Sequence, residues 1–297
     1  MVDILNEGER NWPLVVFLTL GPASVGCLLG GLVLGAGLPT GGDGVSAWLF
    51  AVAVATGTLV VGGMAVLGSL AHLDKPLRAY RALRRFPHSP LSRETGLYAI
   101  YLAVVGLYWL FLLLGLNPTI LGVAALAVGF PAIYASAQVY LIPARPSWYH
   151  WSTVLGFISC ALSLGGATSL SVSLAWPEAM AGSGSAPLVA KALVIIGVVG
   201  TAAALWRRAG YLRAATPDTQ AAWRLIETDY RGQWRLRLLV GLGLPFVAVG
   251  LSFAAEGFIV LAWLALLVGE LLDRRLFFVS GAPLSVRTEL VRALRQV

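Results

Sequence analysis

Of 297 residues, 58% are hydrophobic and only 12% charged, and mean hydropathy is +0.81. Soluble domains carry about 25% charged residues, so the composition excludes an ordinary soluble enzyme and predicts a polytopic membrane protein. The net charge of +7 is then to be read by side of the membrane and gives no reason to expect nucleic acid as a partner.

A spanning helix needs roughly 20 apolar residues, and the chain offers eight such stretches. The first is Trp12 to Gly37, opened by Pro13 at a helical first turn, where a missing N–H is harmless. The second, Ser46 to Ala71, delivers the chain to His72. The third, Thr95 to Leu114, is joined through Asn117-Pro118 to the fourth, Thr119 to Ile142. Trp151 to Leu174 makes the fifth, and a glycine- and serine-rich turn precedes the sixth, Leu188 to Trp206. Leu236 to Ala255 and Gly257 to Phe278 complete the set, with only Glu256-Gly257 between them. Lipid offers the backbone no hydrogen bonds, so all of these must be helices. The expected fold is all-α, a single domain over 1–297: a bundle of eight transmembrane helices with both termini on one side. The acidic start MVDILNEGER lacks a basic n-region, so no cleavable signal is expected.

With that topology, alternate connections carry very different charge. The stretches His72–Glu94, Pro143–His150 and Arg207–Arg235 share a side with both termini, and every one of the 21 lysines and arginines except Lys191 falls there. Basic loops stay in the cytoplasm, so this side is predicted to be cytoplasmic. In the long 207–235 segment, Thr216-Pro217-Asp218 reads as a helix start. Ala221, Trp223, Leu225 and Ile226 then give a short amphipathic helix, placed either on the membrane lipid surface or against a soluble partner.

The residues that carry chemistry are few. Cys27 and Cys160 both lie in apolar runs and are too few for an iron–sulfur cluster. His72, His88 and His150 sit at helix ends or in loops, not mid-span, so a haem held between helices is not expected within this protein. No HxxxH, ExxH or cysteine cluster suggests a metal site.

One stretch concentrates what remains. His72 to Glu94 holds two of the three histidines and six of the 21 basic residues, polar chemistry that a membrane protein gathers where something binds or reacts. At the end of a span, His72 has the depth and near-neutral pKa to bond a quinone carbonyl or take a proton from a quinol hydroxyl. Arg78 would offset the negative charge of a reduced quinone, and Glu94, opening the third span, would pass protons to water. A helix-end histidine, interfacial arginines and an N-terminal carboxylate on a helix dipole would look the same without a ligand. Glu270 lies within the last span and must be paired or neutral, for proton transfer or in a structural ion pair, with Arg274 at i+4 or a loop arginine as partner. Trp148 and Tyr149, beside Trp151, are read either as an interfacial belt or as a wall for a quinone ring.

These residues resemble the membrane anchor subunits of dimethyl sulfoxide reductase and related molybdenum iron–sulfur enzymes, the DmsC-type anchors. The likeness rests on Trp12-Pro13-Leu14, on His72-Leu73 with Pro76 and Arg78-Ala79, on Leu91-Ser92 with Glu94, on Pro146-Ser147-Trp148-Tyr149, and on Gly269-Glu270-Leu271 with Phe277 and Phe278. It implies a subunit without its own redox centre, which anchors a molybdopterin catalytic subunit and a four-cluster iron–sulfur subunit and exchanges electrons with membrane quinone, ubiquinone or menaquinone. It also implies that His72 and Glu94 belong to the quinone site. In the namesake enzyme the catalytic subunits are exported, whereas charge here places that face in the cytoplasm. The orientation favours the family's cytoplasmic sulfite-oxidising complexes, which feed electrons into quinone. Two alternatives stay open: an anchor that oxidises menaquinol for a DMSO reductase-type terminal reductase, and an anchor with no quinone site. A small transporter would need mid-span ionisable groups and repeats, and Glu270, the acidic residue deepest inside a span, lies near one end of it.

Overall fold

The computed structural model describes residues 11–38, 44–71, 73, 75–86, 88–177, 180 and 182–281. His72, Arg10 and the C-terminal Arg287, Arg292 and Arg295 lie outside the described residues. Among those described, nine α-helices and one 3-10 helix follow in order, with no strand between them. They are α1 (Trp12–Ala36), α2 (Gly44–Ala71), the 3-10 helix Pro76–Arg85, α3 (Pro90–Leu113), α4 (Thr119–Tyr140), α5 (Ser152–Ser173), α6 (Ala186–Ala214), α7 (Pro217–Thr228), α8 (Arg231–Leu251) and α9 (Phe258–Ser280).

Seven of these helices, all but α7 and α9, are long and apolar enough to cross a membrane. At 23 residues α9 has the length, but Glu270, Asp273, Arg274 and Arg275 crowd its C-terminal half. The protein is therefore a helical multi-pass membrane protein. Its outer faces carry large apolar side chains, among them Ile120, Ile196 and Leu239, the inverse of a soluble surface and suited to lipid.

α1 is the central post, in contact with α2, α4, α5, α6 and α9. Its residues are buried nearly all round, as expected of a helix apolar on every face. Two boundaries differ instructively from the apolar count. α3 begins at Pro90, a full turn before Thr95, because Ser89 accepts a bond from the Ser92 N–H and proline fits the first turn. α6 runs on past Trp206 to Ala214, since polarity alone does not end a helix.

Thr216 caps α7 in a reciprocal box with Thr219. Ala222, Trp223 and Ile226 of α7 are buried against Ala209 and Leu212 of α6, with Trp234 beside them. One apolar face of the short helix is thus covered by its own protein. Both α5 and α8 contain a π-helical turn, at Ala161–Gly165 and Leu239–Gly243. The second lies where Gly241 and Gly269 let α8 and α9 approach backbone to backbone, a closeness that small residues permit in lipid.

Candidate functional site

Where α2 ends and α3 begins, the 3-10 helix folds back beside them. Its first turn opens on proline, and its end is pinned to α3 by Phe86 and Leu83, which press on Gly96. A Cβ at residue 96 would fall 2.6 Å from the Phe86 ring, so only glycine lets the segment lie this close. The result is a cleft of about 490 Å³ walled by Phe17 of α1, by Val66, Ser69 and Leu70 of α2, and by Leu91, Glu94, Thr95, Tyr98, Ala99 and Leu102 of α3. Leu73, Lys75 and Arg78 close the polar side. The volume falls in the range of small-molecule sites, and the composition, mostly apolar with a few convergent polar groups, fits that class.

The two ends of the cleft differ in character. Arg78 and Lys75 are exposed to water, while Glu94 is only 5% exposed and its Oε1 has no hydrogen-bond partner among the described residues. A buried carboxylate oxygen left unpaired is costly, which marks this carboxyl as awaiting a partner. The Ser136 hydroxyl of α4 and the Tyr98 phenol one turn along α3 stand near it. Tyr98 was not among the residues singled out from sequence; its spacing of four from Glu94 on a buried helix face was the available signal. The structure brings Arg78 and Glu94 to one cleft, and Leu73, the neighbour of His72, lines it as well.

Trp148 and Tyr149 are not part of this cleft. The Trp148 indole donates to the Phe277 carbonyl at 2.7 Å and stacks on the Phe277 ring at 5.2 Å. Arg145 sits over the same indole and donates to the Gly281 carbonyl at 2.9 Å. The 143–150 connection is thus clipped to the end of α9, and Tyr149 points outward, 51% exposed.

Glu270 lies apart from the cleft too, in a buried cluster of charge. Arg274 supplies the expected i+4 pair at 3.6 Å, and Arg237 of α8 the shorter contact at 3.0 Å. Asp273 bridges both arginines, at 3.7 and 3.6 Å. Arg237 also donates to the Gly241 carbonyl at 2.8 Å, within the π-helical turn. The sequence signal for Arg237 was a charge one residue inside an expected span. The space enclosed by this cluster is about 20 Å³, room for a water and no larger ligand.

His150, outside the spans, accepts at Nδ1 from the Ser152 N–H, lies 2.8 Å from the Ser152 hydroxyl and stacks on Tyr211 at 4.5 Å. Burial, and then Arg207 and Arg208, hold its pKa below the ordinary 6.5. Among the described residues, no group of three or more His, Cys, Asp or Glu is placed to hold a metal ion.

A bundle of apolar helices long enough to span a membrane, with a polar-ended cleft at the junction of two of them, defines a polytopic membrane protein. The family model described as DMSO reductase anchor subunit (DmsC) matches residues 5–279, and the protein belongs to that family. It is similar to the C subunit of anaerobic dimethyl sulfoxide reductase from Escherichia coli (strain K12), 29% identical over 92% of the present sequence and 96% of the relative. It is also similar to the YnfH subunit of an anaerobic dimethyl sulfoxide reductase from the same organism, 33% identical over 54% of the present sequence and 57% of the relative. A third relative, the C subunit of the Haemophilus influenzae enzyme, is 33% identical over 34% of the present sequence and 39% of its own length. No solved structure matches the protein.

Proposed function

We propose that this protein is the quinone-interacting membrane anchor of a molybdopterin and iron–sulfur oxidoreductase, and that the cleft between α2, the 3-10 helix and α3 is where quinone exchanges electrons with the complex. The observation that carries the reading is the cleft itself, in which an unpaired buried carboxyl, Glu94, and a water-facing guanidinium, Arg78, end an apolar pocket. The apolar walls suit a ring and isoprenoid tail. Glu94 is placed to take or give a head-group proton, and Arg78 to offset charge on a reduced quinone oxygen. His72, next to Leu73 in the sequence, is the third group proposed for this set. Each quinone reduced takes two electrons from the iron–sulfur partner, a four-cluster subunit in this reading, and two protons from water.

With α9 counted as an eighth span, both termini and the basic connections lie on one side, which the positive-inside rule makes cytoplasmic. That orientation supports soluble subunits in the cytoplasm and electron flow into quinone, as in a sulfite dehydrogenase. A second reading is supported by the relatives, all of them subunits of anaerobic dimethyl sulfoxide reductases: the same cleft oxidising menaquinol for a terminal reductase.

The test is electron transfer in the assembled complex. Glu94→Gln is expected to lower quinone-linked turnover about a hundredfold, and Arg78→Ala about tenfold. Turnover with a soluble dye, which enters at the soluble subunits, controls for assembly. Quinone-linked turnover unchanged in both variants would remove the cleft from the reaction.

A further inference from the structure

Behind Glu94, a seam of polar groups continues into the bundle. Glu94 Oε1, Ser136 Oγ, Tyr98 OH, Tyr101 OH and Thr58 Oγ1 are all buried, and among the described residues none of them makes a hydrogen bond of full geometry. They do not stand in isolation. Tyr98 faces both Glu94 and Ser136, Tyr101 faces Ser24 and Cys27, and Cys27 faces Thr58. Native proteins leave few such groups unpaired, and where several converge, ordered water joins them. The backbone is shaped for the seam: a Cβ on Gly21 of α1 would lie 2.8 Å from the Tyr98 hydroxyl, so glycine there admits the phenol.

We propose that Tyr98 and Ser136, with Tyr101 behind them, hold an internal file of water that serves Glu94 as a proton relay, so that the carboxyl meets quinone on its cleft side and this water on the other. The proposal rests on the cleft being the quinone site. When a quinol is oxidised there, two electrons leave for the iron–sulfur partner. One proton passes to the Glu94 carboxylate and on to the internal water, and the other leaves past Lys75 and Arg78 to bulk water. Before the next turnover the stored proton returns through Glu94 and leaves past Lys75 and Arg78 to bulk water. Quinone reduction runs the same path in reverse, with both protons drawn from bulk water.

From Glu94 to Tyr101 is seven residues of helix, about 10 Å, or about a third of the bilayer core. Beyond Tyr101 the buried face of α3 carries Val105 before the next tyrosine, and Val25 of α1 presses beside it on Gly129 of α4. The seam is a blind well that stores a proton and does not carry it across the membrane. Tyr98 and Ser136 act through Glu94 and are positioning residues.

The test uses the full-length protein assembled with its soluble partners. A cryo-electron map that resolves buried water should show density joining Glu94, Ser136 and Tyr98. A dry seam in a map that shows water elsewhere inside the bundle overturns the proposal. In the same preparation, Tyr98→Phe and the smaller change Ser136→Ala are read by decylubiquinone turnover against pH. The redox-induced infrared band of the Glu94 carboxyl, assigned through Glu94→Gln, is followed in parallel. The groups facing Glu94 that enter such a profile are Lys75 and Arg78 across the cleft, Tyr98 on its own helix and Tyr140 on α4. The expected result is kcat lower by about tenfold with KM within about twofold, a displaced pH profile and a shifted carboxyl band. An unmoved band and profile in both variants overturns the relay. Turnover lost in Glu94→Gln but intact in Tyr98→Phe and Ser136→Ala defeats the relay alone; turnover intact in Glu94→Gln defeats the cleft reading on which it rests.

Discussion

Arg237 and Glu270 meet at 3.0 Å with side chains 1% and 2% exposed, one from α8 and the other from α9. Desolvating two charges is expensive, and their attraction offsets this only with further bonds. Here Arg274, Asp273 and the Gly241 carbonyl supply those bonds. The cluster joins α8 to α9 beside the Gly241–Gly269 approach.

Breaking that cluster from one side should be worse than removing the pair. Arg237→Leu leaves Glu270 with Arg274 alone, and a loss of about 3–5 kcal/mol is expected. The double variant with Glu270→Leu should fall short of the sum of the single losses. Thermal unfolding in nanodiscs checks both, and strictly additive losses would mean the pair is not coupled.

Trp148→Phe should keep the stack on Phe277 and lose the indole bond to its carbonyl, for about 1 kcal/mol. Trp148→Ala loses both, for about 3–5 kcal/mol, and frees the 143–150 connection from α9. Neither is expected to alter KM for quinone, because the indole does not line the cleft. A raised KM in Trp148→Phe would return this residue to the binding site.

Acid should weaken the junction at His150. Its folded pKa is held below 6.5, so the unfolded protein binds its proton first. The contribution to stability is complete above 6.5 and is lost as pH falls through that value toward the lowered one. Melting temperature compared between about pH 7.5 and about pH 5.5 should drop less in His150→Gln than in the parent protein. An equal drop would show that another group governs the acid limb.

Orientation has its own check. Alkaline phosphatase fused after Val297 is expected to be inactive and a fluorescent protein there bright, as for a cytoplasmic terminus. An active phosphatase would contradict that orientation and favour the menaquinol-oxidising reading.

Much of this was legible in the sequence because lipid imposes a simple rule: long apolar runs become helices, and the expected stretches found their helices within a turn or two. The misjudged ends were those governed by something other than apolarity. Ser89 and Pro90 start α3 early through capping, and α6 continues through Arg207 and Arg208 because nothing breaks it. Arg78 and Glu94 stood out as polar residues in an apolar sequence, and they line one cleft. What sequence alone did not supply were the long-range partners. Arg237 finds Glu270 across 33 residues, Trp148 finds Phe277 across 129, and the seam of hydroxyls around Tyr98 exists only once α1, α3 and α4 are assembled.

The most direct test of the cleft as the quinone site is photo-labelling of the assembled complex with an azido-quinone, followed by peptide mapping. The account predicts label on the peptides that carry Val66 to Arg78 and Leu91 to Leu102, competed away by decylubiquinone. Label confined to the aromatic group around Trp148, or spread evenly over the lipid-facing helices, would contradict it.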